Sequence, residues 1–257
     1  LLFFTDRGKA YQMKMYDIPE GKRATKGKSI MNFLSLAPGE KVTSILPMPK
    51  ELKNKDLSLL LVTKHGIVKK ASAASFHDVR QSGIIAITLG SSDELLNARF
   101  VEKGDDVILA TMRGQSVRFK ESDVREMGRT AGGVRGMKIG KNDCIVGADV
   151  IPKGSSSDTS LLVMSENGYG KQTALSEYKT QKRGGSGIKT FKVTPKTGLL
   201  ISAKVLSAEY DELVTISKKS QVIRVGTKEI PTLGRQTQGV RVMKLHTGDK
   251  IASLVCL

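Results

Sequence analysis

The chain has 257 residues, of which 39% are hydrophobic and 26% are charged, so it is long enough to bury a sizeable core. It carries 42 Lys and Arg residues against 25 Asp and Glu residues, and the net charge of +17 favours a polyanionic partner, nucleic acid before membrane. No apolar run approaches the roughly 18 residues of a membrane-spanning helix, and the opening LLFFTDRGK lacks the basic start and cleavage site of a signal peptide, so we expect no membrane association.

The first predicted unit, residues 1–49, sets the pattern for the whole chain. FFTDRGKAYQMKMY is predicted as a strand, turn and strand, and the loop YDIPEGKRATKG precedes two more apolar runs, SIMNFLSL and VTSILPM. Each run is short and rich in branched or aromatic side chains, which is typical of β-strands. The unit is therefore predicted to contain four short strands.

Four further units repeat this pattern at residues 58–101, 105–151, 158–206 and 211–257. The short segments SASF and LSEY are compatible with single helical turns. Four short strands in about 50 residues are typical of a propeller blade, and such a sheet needs neighbours to cover its apolar faces. We therefore predict a single all-β domain over residues 1–257, built from propeller-like blades.

A constant spacing supports the repeats. Gly27, Gly133, Gly187 and Gly239 each follow the first turn of their unit by 19 residues, and Gly83 follows its turn by 17. We call these five the register glycines. Each is preceded, three or four residues upstream, by what we call a register arginine: Arg23, Arg80, Arg129, Arg183 and Arg235. In a radial arrangement of blades, the register arginines are expected to reach equivalent places on the rim.

The predicted DNA-binding residues are the register arginines with the cations and glycines around them. The clearest loop is KTQKRGGSGIK, residues 179–189, whose backbone amides at Gly184 and Gly185 are expected to hold phosphate oxygens together with Arg183. A basic loop residue is often only solvated, but five arginines in register favour binding. The full set is Arg23, Lys26, Lys28, Arg80, Arg125, Arg129, Arg135, Lys179, Gln181, Lys182, Arg183, Gly184, Gly185, Gly187, Lys189, Arg235 and Arg241.

Double-stranded DNA is the expected ligand, held through its backbone. Aromatic residues make up 5% of the chain and Trp is absent, which disfavours stacking on unpaired bases. Bending 20 to 30 base pairs costs on the order of 1–6 kcal/mol, so several phosphate contacts per segment are needed.

Other chemistry is not supported by the sequence. GKRATKGKS has the wrong glycine spacing for a phosphate-binding loop, and no nucleophile, base and orienting group occur together. His65, His77 and His246 lack metal-ligand spacing, so no metal is expected. Cys144 and Cys256 are predicted to be buried free thiols. A propeller that binds other proteins is the main alternative function, and a propeller enzyme is a weaker one.

Several segments together resemble the C-terminal domain of the DNA gyrase A subunit and, as a close relative, that of the corresponding topoisomerase IV subunit. They are LLFFTDRGKAYQMKMYDIPE, GIVKK, VRFKESDVREMGRTAGGVRG, ENGYGKQTALSEY and GRQTQGVR, and the match extends over nearly the whole chain. The resemblance implies a β-pinwheel, usually of six blades where we count five, in which blades exchange a strand and DNA wraps around the perimeter.

The resemblance also implies a cytoplasmic, nucleoid-associated bacterial protein. The partners would be the gyrase B subunit and the breakage-reunion domain of the gyrase A subunit, in an A2B2 assembly. That assembly would introduce negative supercoils, using ATP and Mg bound outside this domain. The isolated domain would be a non-catalytic monomer without a cofactor, and none of its tyrosines would be the cleavage residue.

The chain departs from the family in its signature box, a short sequence motif of the first blade. The motif consists of glutamine, two arginines, two glycines, a basic residue and glycine. The best match is Gln181 to Gly187, in the fourth unit, with Lys182 in place of one arginine and Ser186 in place of the later cation. We expect the true box to lie upstream of Leu1, in which case this fragment binds DNA but wraps it weakly.

Overall fold

The computed structural model describes residues 1–21, 27–48, 57–207 and 209–257. Within them the chain is all-β, with short 3-10 turns as its helical elements, so the predicted fold class is confirmed. The strands belong to five antiparallel sheets, one for each repeat.

The second to fifth repeats contain four strands in the same order, whereas the first repeat, also predicted to contain four, has three within the described residues. The first repeat contains β1 (Leu2–Thr5), β2 (Lys9–Gln12) and β3 (Val42–Leu46). The second contains β4 (Ser58–Thr63), β5 (Ile67–Ser72), β6 (Ile84–Ile85) and β7 (Leu95–Val101). The third contains β8 (Asp106–Thr111), β9 (Gln115–Lys120), β10 (Val134–Arg135) and β11 (Ile145–Ile151).

The last two repeats have the same four-strand order. The fourth contains β12 (Ser160–Ser165), β13 (Tyr169–Ala174), β14 (Ile188–Lys189) and β15 (Leu200–Leu206). The fifth contains β16 (Glu212–Ser217), β17 (Val222–Gly226), β18 (Val240–Arg241) and β19 (Ile251–Cys256).

Each repeat completes the sheet of the repeat before it. The sheet orders are β3-β1-β2-β6, β10-β5-β4-β7, β11-β8-β9-β14 and β15-β12-β13-β18, and the fifth sheet is β17-β16-β19 within the described residues. The two-residue strands β6, β10, β14 and β18 are thus outer strands, each paired to the second strand of the preceding repeat. This is the strand exchange that the resemblance implied.

The first strands of the second, third and fourth repeats, β4, β8 and β12, are buried along their whole length. All six residues of β4 are buried, and its run LLLV is continuously apolar, the pattern of a strand without a solvent face. The backbone contacts divide the chain into two compact units, residues 1–103 with 124–134 and residues 104–123 with 135–257.

Each unit has its own apolar core. In the first unit, Phe4 packs near Phe76, with ring centroids 5.9 Å apart, in a cluster that includes Leu59 and Leu61. In the second, Tyr178 and Phe191 belong to a cluster with Leu161. Because the outer strands and the loops before them pack against these sheets, the cores fix where the basic loops begin.

Two local predictions have different outcomes. The segments SASF and LSEY form short 3-10 helices, Ala73–Phe76 and Leu175–Glu177, as the sequence suggested. SIMNFLSL, predicted as a strand, instead contains the 3-10 helix Ile30–Asn32, with the Ser29 hydroxyl accepting a hydrogen bond from the Met31 N–H. A Ser cap and local hydrogen bonds at this position override the strand preference of the apolar run.

Candidate nucleic-acid interface

Three of the four outer strands present a cation to solvent at their second residue. In β6, β10 and β14 the first residue is half-buried and the second is exposed, as expected when alternate residues of a strand point to opposite faces, whereas in β18 both residues are exposed. The second residues Arg135, Lys189 and Arg241 are exposed, whereas the same position in the second repeat is Ile85, 48% exposed. The structure therefore places three predicted cations at equivalent positions of successive sheets.

The register glycines allow these strands to approach the preceding sheet. Gly187 has φ +75°, and a Cβ built there would lie 2.3 Å from the Ser116 carbonyl oxygen. Ile188 and Lys189 then pair with Ser116 and Gln115. A side chain at Gly187 would clash with the backbone of the preceding repeat, and its positive φ is unfavourable for L-residues. Glycine is therefore required for the outer strand to pair with the preceding sheet.

The register arginines are not alike. Arg80 is exposed and Arg129 is half-buried. The half-buried Arg183 donates from Nε to the Asp123 carbonyl (2.8 Å) and from Nη1 to the Arg135 carbonyl (2.9 Å). We expected its cation to project outward, but the planar guanidinium instead joins two backbone carbonyls of the preceding repeat.

Arg235 repeats part of this arrangement. Its Nη1 donates to the Lys189 carbonyl at 3.2 Å, and its Nε lies 3.8 Å from a carboxylate oxygen of Glu177. Arg183 and Arg235 thus each hold the outer-strand residue that carries the exposed cation of the preceding repeat. Their role in the fold is to position Arg135 and Lys189.

The loop 179–189 uses part of its backbone internally. The Gln181 N–H donates to the Arg118 carbonyl at 2.7 Å, and the Gly184 N–H donates to the Gly136 carbonyl at 2.6 Å. Gly184 has φ +84°, as its predicted tight turn requires, whereas Gly185 does not adopt the left-handed region. The Gly184 amide, which we expected to hold phosphate, therefore anchors the loop, while the Lys179 and Lys182 side chains stay exposed.

The remaining predicted cations differ in their surroundings. Arg23 and Lys26 lie outside the described residues. Lys28 and Arg125 are exposed. Arg241 is held differently from its counterparts, since its guanidinium lies 5.6 Å from the Tyr169 ring centroid and donates to the Tyr169 hydroxyl at 3.0 Å. This contact holds the Arg241 guanidinium in a fixed direction.

A second set of cations was missed by the sequence analysis. Lys138, Lys192 and Lys244 each follow a register glycine by five residues and are exposed. The Lys138 N–H donates to the Gly185 carbonyl (2.9 Å), and the Lys192 N–H donates to the Thr237 carbonyl (3.0 Å). Lys138 and Lys192 therefore lie beside the basic loop of the following repeat. The constant spacing of all three lysines from the glycines was the signal that would have found them.

Two buried lysines were also missed. Lys69 and Lys171 are 0% exposed, and burial lowers the pKa of each to about 8. The positive charge of Arg129 adds to the lowering of the Lys69 pKa, and that of Arg235 does so for Lys171, where Glu177 acts in the opposite direction. The sequence offered no clear signal, because a lysine in a short strand is usually on the solvent face.

Elsewhere in the described chain the chemistry is limited. No group of three or more potential metal ligands occurs among the described residues. None of the described helices is long and apolar enough to span a membrane. Cys144 and Cys256 are free, as predicted, but half-buried, and burial raises the pKa of the Cys256 thiol to about 11.

The chain is similar to one known family and to several known proteins. The model of the DNA gyrase C-terminal domain, a beta-propeller, matches residues 1–47, 58–102, 105–152, 159–207 and 211–257. The DNA gyrase A subunit of Staphylococcus epidermidis is 37% identical over 254 residues, and that of Helicobacter pylori J99 is 41% identical over 253 residues. These alignments cover 99% and 98% of this chain but only 28% and 30% of the relatives, so the chain spans less than a third of their length.

Solved structures agree with this result. A structure of the DNA gyrase A C-terminal domain is similar with a TM-score of 0.82 and 29% identity, over 99% of this chain and 81% of that one. The C-terminal domain of DNA topoisomerase IV has a TM-score of 0.87 at 23% identity, over 100% of this chain and 78% of that one, a likeness of fold alone.

Proposed function

This chain belongs to the family of DNA gyrase C-terminal domains, and from that membership we propose that it binds duplex DNA and bends it around a basic perimeter. The observation that carries the proposal is the series Arg135, Lys189 and Arg241, which places an exposed cation at the same point of three successive outer strands. Equivalent cations at regular intervals suit the regular phosphates of a duplex, whatever its sequence.

The proposed contacts are with the backbone of the DNA. Arg135 and Arg241 offer planar guanidinium donors to phosphate oxygens, and Lys189 offers a compact ammonium. Lys138 and Lys192, beside the following loops, supply additional charge. A protein that makes six to ten such contacts is expected to lose about 10³ to 10⁵ in affinity between 50 and 200 mM salt.

In the whole protein, we propose that this domain acts within a gyrase A2B2 assembly, alongside the breakage-reunion domain and the gyrase B subunit. Wrapping would present a segment of the same duplex to the enzyme gate, so that ATP-driven strand passage introduces negative supercoils. The domain itself would bind DNA without cofactor, ATP or metal, in the cytoplasm. Identities of 37% and 41% to gyrase A subunits favour gyrase over topoisomerase IV.

Religation of nicked circular DNA tests the wrapping. The circles are sealed by ligase with saturating protein at low salt, the protein is removed, and the distribution of linking numbers is measured by gel electrophoresis. Wrapping predicts a shift that grows with protein concentration and disappears when the same reaction is run at high salt. An unshifted distribution under saturating conditions would reject wrapping, and a filter-binding assay on the same samples reports separately on DNA binding.

A further inference from the structure

Two completely buried lysines make the same unusual contact in different repeats. Lys69 in β5 and Lys171 in β13 each follow the hairpin glycine of their repeat by three residues. The Lys69 Nζ donates to the Ala86 carbonyl at 2.6 Å and to the Arg129 carbonyl. The Lys171 Nζ donates to the Arg235 carbonyl at 2.8 Å and to the Gly234 carbonyl. Each lysine thus holds the backbone of a register arginine in the following repeat.

The sheets do not need a lysine at this position. The equivalent residues of the third and fifth repeats are Val117 and Ile223, and Val117 is likewise 0% exposed. Transferring an ammonium from water to a protein interior is unfavourable unless donors are matched by acceptors, so a buried lysine requires a compensating contact. At Lys69 and Lys171 the acceptors include backbone carbonyls of the basic loops.

One backbone contact is common to all three loops, since the N–H groups of Met127, Gln181 and Leu233 donate to the carbonyls of Lys70, Arg118 and Gln172. The loop that faces Val117 has in addition the Arg183 guanidinium, which donates to the carbonyls of Asp123 and Arg135, and in the fifth repeat Arg235 likewise donates to the Lys189 carbonyl. A loop held by its own arginine side chain commits that guanidinium to the protein. A buried lysine under the backbone holds the Arg129 loop without using the Arg129 guanidinium.

We propose that Lys69 and Lys171 are positioning residues that hold the basic loops 124–134 and 231–239 in the conformation that binds DNA. This inference rests on the proposed function. Fixing the Arg129 and Arg235 carbonyls reduces the conformational freedom that each loop loses on binding, which improves affinity without a new contact to DNA. The buried ammonium also adds positive charge directly beneath each loop.

The test uses Lys69→Met and Lys171→Met, each as the control for the other, in the full chain. Amide hydrogen exchange without DNA is expected to show about tenfold less protection in residues 124–134 of Lys69→Met, with residues 231–239 unchanged, and the converse for Lys171→Met. A uniform loss of protection through the chain would overturn the proposal, since it indicates a purely structural role. Should Lys69→Met not fold, Lys69→Gln keeps an uncharged N–H donor group and is measured in its place.

A double-mutant cycle tests whether Lys69 affects DNA binding through the Arg129 loop. Lys69→Met and Arg129→Gln are each expected to weaken binding of a 40-base-pair duplex by about three- to tenfold, and the double variant is expected to be little weaker than either single variant. Additive effects, or loosened loops with unchanged affinity, would overturn the positioning role. If the wild-type chain binds no duplex while the exchange pattern is as expected, the proposed function fails and the loop anchoring stands.

Discussion

Neighbouring cations in the fourth basic loop serve different purposes. Lys182 is exposed, whereas Arg183 donates to two carbonyls of the preceding repeat. The sequence predicted both as DNA-binding because it shows which residue types share a loop. It does not show which side chain hydrogen-bonds within the protein, since that depends on carbonyls 60 and 48 residues away in the chain.

The two residues therefore respond differently to loss of charge. We expect Arg183→Gln to lower the free energy of unfolding by about 1–2 kcal/mol, because two hydrogen bonds are lost. The matched change Lys182→Gln should alter it by less than about 0.5 kcal/mol. Urea unfolding measures both. Equal stability of the two variants would mean that the Arg183 contacts contribute nothing to the fold.

The buried lysines give the stability a characteristic pH dependence. Lys69 and Lys171 have a pKa of about 8 in the folded protein, against 10.5 for an unperturbed lysine. Between these values the unfolded chain binds more protons, so these lysines make the free energy of unfolding rise with pH. Below pH 8 both states are charged and the effect is constant.

We expect the wild-type chain to gain stability relative to a Lys69→Met, Lys171→Met double variant as pH rises from about 8 to 10.5. Urea unfolding of both proteins across this range measures the difference, and surface titrations common to both cancel. The charged groups facing the ammoniums are Arg129 at Lys69 and Glu177 and Arg235 at Lys171. A pH-independent difference would contradict burial of the charged form.

At the scale of elements, the outer strands are the feature that the sequence described least well. Each unit was predicted to contain four short strands, but in the second to fifth repeats only two residues of the third strand pair with the preceding sheet. Their partner strands lie in the preceding repeat, so a pattern within one repeat cannot fix their length. The spacing of the register glycines was the more reliable guide, because each glycine marks where the backbone meets its neighbour.

The pairing of the outer strand β14 with the preceding sheet depends on Gly187. We expect Gly187→Ala to destabilise the chain by about 1–3 kcal/mol, through its positive φ and the clash of a Cβ with the Ser116 carbonyl. Gly140→Ala is the matched control, since a Cβ there meets nothing within 4 Å. Thermal unfolding compares the two, and hydrogen exchange at Ile188 and Lys189 reports on the outer strand. If the stability of Gly187→Ala were unchanged, the outer strand would be able to pair with the preceding sheet without glycine at this position.

At the scale of the whole molecule, composition was the basis for the proposed ligand, and repetition was the strongest guide to the fold. A surplus of 17 positive charges and five similar units are properties that no single loop decides. Composition does not show which way a charged side chain points. Arg135, Lys189 and Arg241 are exposed, whereas Lys69 and Lys171 point inward and are buried.

Contact between the outer-strand cations and the phosphates of a duplex is tested most directly by the salt dependence of binding. The measurement compares the slope of log K against log salt for three proteins. They are the wild type, a triple variant that combines Arg135→Gln, Lys189→Gln and Arg241→Gln, and a control triple variant that combines Lys103→Gln, Lys141→Gln and Lys153→Gln. The control removes three exposed lysines outside the basic loops and outer strands. We predict that the slope falls by about 2.7 in the first triple variant and by much less in the control. Equal slopes for the two triple variants would contradict phosphate contact by these cations.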